Sequence, residues 1–213
     1  MRKAKIAVLV SGGGTNLQAL IDAEKSGIIK SGSISLVISN KHDAYALTRA
    51  ESANIPTAVV LRREYDSQRG FENRIMELLD HNGIDLIVLA GFMSILSEYF
   101  TSAYPDRIIN VHPSLIPAFC GKGFYGLRVH RAVLDYGVKV TGATVHFVNE
   151  IPDGGKIIMQ KAVSVRKNDI PESLQKRVMR LAEWKILPLS VEKISSEIIN
   201  DTTQRKVSDN ERL

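Results

Sequence analysis

Short apolar runs alternate with helix-like segments over the first hundred residues of the chain. Each run has the length and composition of a strand that is buried on both faces. The runs cover residues 6–10, 34–39, 57–61 and 84–90. Between them, apolar residues recur every three or four positions, which predicts helices after the first strand, at about 43–53, and around Phe71 and Ile75. This alternation predicts an α/β domain with a mainly parallel sheet.

The pattern changes after about residue 105. Residues 107–111 form another predicted strand, and residues 113–126, with two prolines and three glycines, form a predicted long loop. A predicted helix over 127–136 follows. Residues 140–148 and 156–165 are two extended segments, which we expect to form an antiparallel pair added to the sheet.

The last apolar pattern predicts one long amphipathic helix, because apolar residues recur at helical spacing from Leu174 to Ile198. Asp169 and Glu172 stand where they could cap its start, and Pro188 lies inside the pattern and should kink it. We therefore predict one domain over residues 1–200, large enough to be a catalytic domain, and a flexible polar tail over 201–213. The expected architecture is a single open, mainly parallel, twisted, Rossmann-like sheet with helices on both faces, the antiparallel strand pair and a long C-terminal helix.

Composition narrows the class of protein mainly by exclusion. Apolar residues make up 44% and charged residues 24%, as in ordinary soluble domains. No apolar run reaches the length of about 18 residues that a membrane span needs, and the single cysteine suits a reducing compartment, so the expected location is the cytoplasm. The net charge of +5 favours small anionic ligands, and no basic cluster with interleaved aromatics indicates nucleic acid.

A glycine-rich loop over residues 11–16 follows the first strand. Its glycines let backbone N–H groups approach an anion, and the helix that follows adds its positive end. Leu17 stands where a dinucleotide fingerprint has its third glycine, and no Lys-Ser or Lys-Thr pair follows, which excludes a nucleotide-triphosphate loop. The loop predicts a phosphate site, with a tight turn that binds nothing as the alternative.

Two further motifs carry candidate chemistry. Asn110 and His112 lie two apart on a predicted strand, so their side chains share one side at its carboxyl end, where ligands bind in open α/β sheets. Asp153, followed by two glycines, lies between the two extended segments. A satisfied histidine at a strand end and a plain Asp-Gly hairpin turn are the respective alternatives. Of the other histidines, His146 is a candidate supporting residue; the remainder, namely His42, His81 and His130, are predicted to lie on the surface.

Together these motifs resemble the signature of the folate-dependent formyltransferases. Asn110, His112 and the Pro-Ser-Leu that follows match it, as does Asp153 with Gly155 about forty residues later. Ser39-Asn40 and residues 90–93 also match, and residues 11–18 narrow the resemblance to the phosphoribosylglycinamide formyltransferase group. The resemblance runs from about residue 6 to residue 188.

The resemblance implies an enzyme of de novo purine (IMP) biosynthesis and one-carbon metabolism. It would transfer the formyl group of 10-formyltetrahydrofolate, a co-substrate, to the glycyl amine of 5-phosphoribosylglycinamide, without a tightly bound cofactor or a metal. The implied catalytic residues are Asn110, which contacts the formyl oxygen, His112, which as a cation stabilises the oxyanion and acts as general acid, and Asp153, which raises the pKa of that imidazole. The implied partners are these small molecules, with no nucleic acid and no membrane, for a monomer or homodimer.

The resemblance also implies binding residues for both substrates. The ribonucleotide would be bound by Gly14, Thr15, Asn16, Arg180 and Glu183. Asn110 would bind the folate together with three further segments. The apolar segment after the fourth strand comprises Met93, Ser94, Ile95 and Leu96, and the segment that closes the other side of the folate pocket comprises Asn149, Glu150, Ile151, Pro152 and Asp153. The start of the third helix contributes Gln68 and Arg69. Many relatives carry an arginine where Gln68 stands, with Arg69 beside it. Ordinary core packing is the alternative for residues 93–96, and residues 118–126 are a candidate mobile flap near the site.

Two other functions stay open at this point. One is a formyltetrahydrofolate hydrolase lacking its regulatory domain, which would pass the formyl group to water and would not need the glycine loop. The other is a non-catalytic dinucleotide-binding module. The incomplete glycine pattern, and Asn40-Lys41 in place of an acidic residue after the second strand, weigh against that module.

Overall fold

One mixed sheet organises the chain. The computed structural model describes residues 2–210, with side chains as far as Asp201. Within these residues seven strands run in the order β3-β2-β1-β4-β5-β6-β7. They are β1 Ala4–Val10, β2 Gly32–Ser39, β3 Thr57–Val59, β4 Leu86–Leu89, β5 Ile108–His112, β6 Val140–Phe147 and β7 Ile157–Ser164. The first five pair in parallel, whereas β6 pairs antiparallel with both β5 and β7, so the predicted α/β class and the antiparallel addition are confirmed.

Helices cover both faces of the sheet. They are α1 Thr15–Lys25, α2 Tyr45–Ser52, α3 Gln68–His81, α4 Glu98–Ala103, α5 Leu127–Tyr136, α6 Pro171–Val178 and α7 Trp184–Asn210, with a 3₁₀ turn at Arg62–Glu64. One apolar cluster joins the sheet to α1, α2, α5, α6 and α7, and a second joins it to α3 and α4. Successive residues of β1 alternate between the two clusters, which confirms that the first apolar run is a strand buried on both faces.

The C-terminal helical region is divided where the sequence predicts one helix. Met179–Glu183 forms a π-helical turn between α6 and α7, and the N–H of Trp184 donates to the carbonyl of Met179, five residues earlier. The departure from α-helical bonding therefore precedes Pro188, which lies inside α7. The long C-terminal helix is confirmed, and the single continuous helix from Leu174 is not.

The start of α6 differs in detail from the predicted cap. Ile170 is the capping position, and its N–H donates to the Ser173 hydroxyl at 3.0 Å. Asp169 contributes from outside the helix, because it pairs with Arg177, and this contact lowers the pKa of Asp169 to about 2. Asp169 therefore anchors α6 through Arg177 and Ser173 rather than through the helix N–H groups.

The predicted tail begins within α7. Residues 201–210 continue that helix, and residues 211–213 lie outside the described residues. The flexibility of this segment stays a prediction. Among residues 2–210, none of the helices combines the length and the apolar character needed to cross a membrane.

Candidate active site

A cavity of about 750 Å³ lies at the carboxyl ends of the central strands, where ligands bind in open α/β sheets. It brings together the glycine loop, the end of β5, the β6–β7 connection and the π-helical turn. The predicted site residues in its wall are Thr15, Asn16, Met93, Ser94, Ile95, Asn110, His112, Pro152, Asp153 and Glu183. Side chains from these segments and from the segment after β4, five segments that are distant in sequence, therefore share one space.

His112 is the buried imidazole of this cavity. It ends β5 and is 4% exposed, and Asn110 shares its side of the strand. His112 Nε2 lies 2.9 Å from the Phe119 carbonyl, to which its N–H donates, and Nδ1 lies 3.4 Å from Asp153 Oδ2. The structure thus brings the two motifs together, and the catalytic role of His112 stays a prediction beside the alternative of a satisfied strand-end histidine.

Asp153 belongs to a long connection rather than to a two-residue hairpin turn. Residues 148–156 join β6 to β7, and Asp153 has a φ of +57° in the left-handed region. Its Oδ2 also accepts the N–H of Gly121 at 2.8 Å, and its Oδ1 lies 3.5 Å from His146 Nε2. The carboxylate therefore faces two imidazoles and also holds the loop after β5.

Burial decides the proton affinity of His112. Burial lowers the pKa of His112, and it outweighs Asp153 and the Phe119 carbonyl, both of which favour the charged ring. Asp153 therefore raises the pKa of His112, as expected, but burial leaves the net pKa below its usual value. Burial alone would raise the pKa of Asp153, but the contacts with His146, His112 and Gly121 hold it below its usual value.

His146 supports the same group from β6. It is 1% exposed and lies opposite Asn110 in the β5–β6 register. Its Nδ1 lies 2.7 Å from the Phe147 carbonyl, and its Nε2 lies 3.3 Å from Asn110 Nδ2 and 3.5 Å from Asp153 Oδ1. His146 therefore orients both the amide and the carboxylate. Within the described part of the chain, no three His, Cys, Asp or Glu side chains are grouped so as to hold a metal ion.

His130 is not the surface residue that the sequence predicts. It lies on the buried side of α5, is 0% exposed and lines the cavity. Neither ring nitrogen has a hydrogen-bond partner among the described residues. Burial and the nearby His112 lower the pKa of His130 to about 4, so the ring is neutral at pH 7. His42 and His81 are exposed, as predicted.

The glycine loop and the π-helical turn form the end of the cavity predicted to bind phosphate and ribose. Gly14 precedes α1 with a φ of +70°, and a Cβ there would lie 2.6 Å from that of Ala46, so a side chain is excluded. Asn16 Nδ2 donates to Glu183 Oε2 at 2.8 Å. Glu183 is 6% exposed, and burial raises its pKa to about 7. Arg180 lies on the same turn, but its side chain is exposed to solvent and does not line the cavity.

The segment after β4 forms an apolar wall. Met93 and Ile95 are 51% and 68% exposed, whereas Leu96 is 7% exposed and packs in the core beside α3 and α4. The core alternative therefore holds for Leu96 and fails for the other two. Ser11 Oγ accepts the N–H of Met93 at 2.8 Å, and Ser94 Oγ accepts from Asn40 Nδ2 at 2.8 Å. The ends of β1 and β2 thus hold this wall in place.

Gln68 and Arg69 point in different directions. Gln68 Nε2 donates to the Ile95 carbonyl at 3.1 Å and therefore lies beside the apolar wall. The Arg69 guanidinium lies 4.3 Å from the centre of the Tyr99 ring, directed toward α4. Arg62 Nε donates to Gln68 Oε1 at 3.1 Å, so a cation reaches this corner from the 3₁₀ turn.

The β6–β7 connection reaches the cavity through its last part. Pro152 and Asp153 line the wall. Asn149 Oδ1 accepts the Ile151 N–H at 3.1 Å within the connection, and Glu150 and Ile151 are exposed outside that wall. The structure therefore does not bring residues 149–151 to the cavity.

The loop after β5 covers part of the cavity, as the sequence predicts. Its residues 121–126 line the wall, and Gly121, Gly123 and Gly126 have positive φ. Cys120 lies beside them; burial raises the pKa of its thiol, which donates to the Pro117 carbonyl. The thiol is not an activated nucleophile.

Known proteins match this chain over most of its length. The family profile described as formyl transferase matches residues 4–191. Phosphoribosylglycinamide formyltransferase from Haemophilus influenzae is 44% identical over 187 residues, which are 88% of this chain and 85% of that protein. The trifunctional purine biosynthetic protein of Bos taurus is 45% identical over 197 residues, which are 92% of this chain but 19% of that much longer protein.

A solved structure gives the same relationship in three dimensions. Glycinamide ribonucleotide transformylase 1 from Symbiobacterium toebii superposes with a TM-score of 0.86 at 40% identity, over 92% of this chain and 89% of that one. The fold, the motif spacing and the extent of the profile match agree with one another. The chain therefore belongs to the formyl transferase family.

Proposed function

We propose that this chain transfers the formyl group of 10-formyltetrahydrofolate to the glycyl amine of 5-phosphoribosylglycinamide, in de novo purine biosynthesis. The observation that carries the proposal is that one cavity joins a glycine loop suited to phosphate with the Asn110, His112 and Asp153 group. The names of the relatives support the same substrates. A hydrolase would have no use for the phosphate end of this cavity.

The cavity residues suit attack of an amine on a formyl carbon. Negative charge then develops on the formyl oxygen, and the Asn110 amide, which lies on the same side of β5 as His112, has a second N–H to stabilise it. A new carbon–nitrogen bond forms to the glycyl amine, and the bond from the formyl carbon to N10 of the folate breaks. One proton leaves the attacking nitrogen and one arrives at N10.

His112 is the residue placed to move that proton. Its lowered pKa leaves the ring neutral before the reaction, so it can take the proton of the attacking amine. Asp153, 3.4 Å from Nδ1, stabilises the imidazolium that results. The charged ring then gives the proton to N10 as a general acid. His112 is neutral before the reaction and charged after it takes up the proton, so it can act as the base toward the amine and then as the acid toward N10.

The binding residues divide between the two ends of the cavity. Gly14, Thr15 and Asn16 offer N–H groups at the start of α1 for the phosphate, and Glu183 offers a carboxyl group for the ribose or amine. Met93 and Ile95 offer exposed apolar surface for a flat pteridine, with Gln68 beside them. We infer that the folate is a dissociable co-substrate and that the enzyme acts in the cytoplasm as a monomer or homodimer.

The test is an absorbance assay of folate deformylation with and without the ribonucleotide. We expect turnover that requires the ribonucleotide and falls at least about a hundredfold in His112→Ala and in Asp153→Asn. His42→Ala, at an exposed position, is the matched control and should retain full activity. Equal turnover without the ribonucleotide would instead identify a hydrolase, and a folded protein that binds nicotinamide cofactor without turnover would identify a binding module.

A further inference from the structure

Two carbonyl groups of the glycine loop are held by α2. The Gly12 carbonyl accepts the N–H of Ala46 at 3.0 Å, and the Gly13 carbonyl accepts Arg49 Nε at 2.9 Å. Because a trans peptide is planar, the carbonyl of one residue and the N–H of the next point in opposite directions. Bonding both carbonyls to α2 therefore turns the N–H groups of Gly13 and Gly14 away from α2.

Those two N–H groups are available to a ligand. Neither donates to an acceptor elsewhere among residues 2–210, and a Cβ at Gly12 or Gly13 would meet nothing within 4 Å. Thr15, the next residue after Gly14, lines the cavity. Successive N–H groups that point to one side, ahead of a helix N-terminus, form an anion-binding concavity.

Arg49 is itself fixed in place by three contacts. Its Nη1 donates to Gln18 Oε1 at 2.9 Å, and Gln18 in turn donates to Asp22 on α1. The guanidinium lies 4.9 Å from the centre of the Tyr45 ring. Its Cδ would lie 3.3 Å from a Cβ at Gly14, so the side chain runs along the loop. The guanidinium donates to Gln18 on one side and to the Gly13 carbonyl on the other, and it thereby fixes the orientation of the Gly13–Gly14 peptide.

We infer that Arg49 is a positioning residue for phosphate recognition: it orients the Gly13–Gly14 peptide so that the Gly14 N–H faces the phosphate, and it adds positive charge behind the loop. This inference rests on the proposed function, since it assigns the phosphate of the ribonucleotide to this loop. Arg49 acts through the backbone and does not touch the reacting atoms. Lysine would restore the charge without the fork, so charge and orientation are separable.

The test measures phosphate binding without any formyl transfer. We would titrate wild type, Arg49→Gln and Arg49→Lys with ribose 5-phosphate by calorimetry, and use Arg74→Gln, an exposed arginine of α3 paired with Glu77, as the matched control. We expect the dissociation constant to rise about tenfold in Arg49→Gln, which is about 1.4 kcal/mol, to rise less in Arg49→Lys, and to stay unchanged in Arg74→Gln. Steady-state kinetics should then show a higher KM for the ribonucleotide and a KM for the folate within twofold of wild type.

Two outcomes would overturn the inference. A dissociation constant in Arg49→Gln within twofold of wild type would remove Arg49 from phosphate recognition, as would a wild-type protein that fails to bind ribose 5-phosphate. Equal increases in both KM values would indicate a general structural defect rather than a positioning role. Because the titration contains no folate, absence of formyl transfer in wild type would refute the proposed function while the Arg49 result still stands.

Discussion

The ionisable side chains around the cavity differ in the direction of their pKa shifts, because burial favours the neutral form of acids and bases alike. Burial lowers the pKa of His112 and of His130, and it raises that of Glu183 to about 7. Asp153 keeps its charge because His146, His112 and the Gly121 N–H stabilise the carboxylate. At neutral pH the imidazoles of His112 and His130 are therefore neutral, whereas the Asp153 carboxylate is charged.

His130 should make stability depend on pH. Its pKa is about 4 in the folded chain against 6.5 in an unfolded one, so between these values the unfolded chain binds more protons. The free energy of unfolding should therefore fall as pH decreases from 6.5 to 4, by about 3 kcal/mol for a shift of this size. His130→Phe removes this contribution, and urea unfolding at pH 7 and pH 4.5 should show a smaller loss than in wild type. His42→Phe, at an exposed position, is the control; equal pH dependence in wild type and His130→Phe would contradict the prediction.

Glu183 should act in the opposite direction. Its pKa of about 7 exceeds the ordinary value of 4.5, so the folded chain binds more protons between these values and stability should fall as pH rises through them. Glu183→Gln keeps an oxygen that accepts from Asn16 and removes the charge. At pH 8 this variant should be more stable than wild type by about 3 kcal/mol, and at pH 4.5 the two should be equal. Denaturant unfolding at both pH values measures this difference, and a Glu183→Gln protein less stable than wild type at pH 8 would refute the prediction. We also expect the KM of Glu183→Gln for the ribonucleotide to rise.

The sequence predicts which candidate residues meet in one cavity better than it predicts the burial and pKa of the side chains there. Asn110, His112 and Asp153 share one cavity, as the motifs indicate. The burial of His130 was missed because an imidazole beside Val129 on a short helix has no local feature that separates a core position from a surface one. The net direction of the His112 pKa was missed because burial depends on every element packed around the ring, whereas the opposing carboxylate is visible in the sequence.

At the scale of elements, Glu72 links α3 to the apolar wall. It is 0% exposed, and its carboxylate accepts the Ser97 N–H at 2.7 Å and Gln68 Nε2 at 2.7 Å. Ser97 precedes α4 and follows the segment that contains Met93 and Ile95. One buried carboxylate therefore satisfies the start of a helix and fixes the end of the wall.

Substitution of Glu72 should affect the folate selectively. Glu72→Ala leaves the Ser97 N–H without its partner, which should lower the free energy of unfolding by about 1–3 kcal/mol. The loosened wall should raise the KM for the folate about tenfold and leave the KM for the ribonucleotide within twofold. Glu77→Ala, an exposed position on the same helix, is the control. Unchanged folate KM in a Glu72→Ala protein of reduced stability would show that the wall does not depend on this contact.

Elements long enough to show a repeating pattern of apolar residues could be predicted from the sequence, whereas short or irregular elements could not. The bounds of α5 are those predicted, because Val129 and Val133 mark its buried side and Gly137 ends it with a left-handed φ. The sequence did not predict α4, since six residues with Phe100 and Thr101 buried are too few to show a period. The π-helical turn keeps apolar residues at nearly helical spacing, so the pattern cannot distinguish it from α-helix.

At the scale of the whole molecule, the antiparallel addition to the sheet brings together Asn110, His112 and Asp153, the residues proposed to be catalytic. Because β6 runs back along β5, His146 lies opposite Asn110 and Thr144 lies opposite His112. The connection from β6 to β7 then leaves the sheet at the carboxyl end of β5 and carries Asp153 to the two histidines. A separation of about forty residues in sequence thus becomes a contact, and no local pattern specifies the register that does it.

Truncation can test the predicted domain boundary near residue 200. Among the side chains that the structure describes, which extend to Asp201, the last buried apolar one in α7 is Ile198, which packs with Val191 and Ile194 against the sheet. Removal of residues 204–213 deletes none of these side chains, so the free energy of unfolding should change by no more than about 0.5 kcal/mol and kcat/KM should stay unchanged. Removal of residues 191–213 deletes these three buried apolar side chains at about 2 kcal/mol each, a loss comparable with the whole stability of a domain, and should leave the chain unfolded. Thermal unfolding followed by circular dichroism and the deformylation assay on both truncated chains test these expectations. Loss of activity on removal of residues 204–213 would show that the catalytic domain extends beyond residue 203.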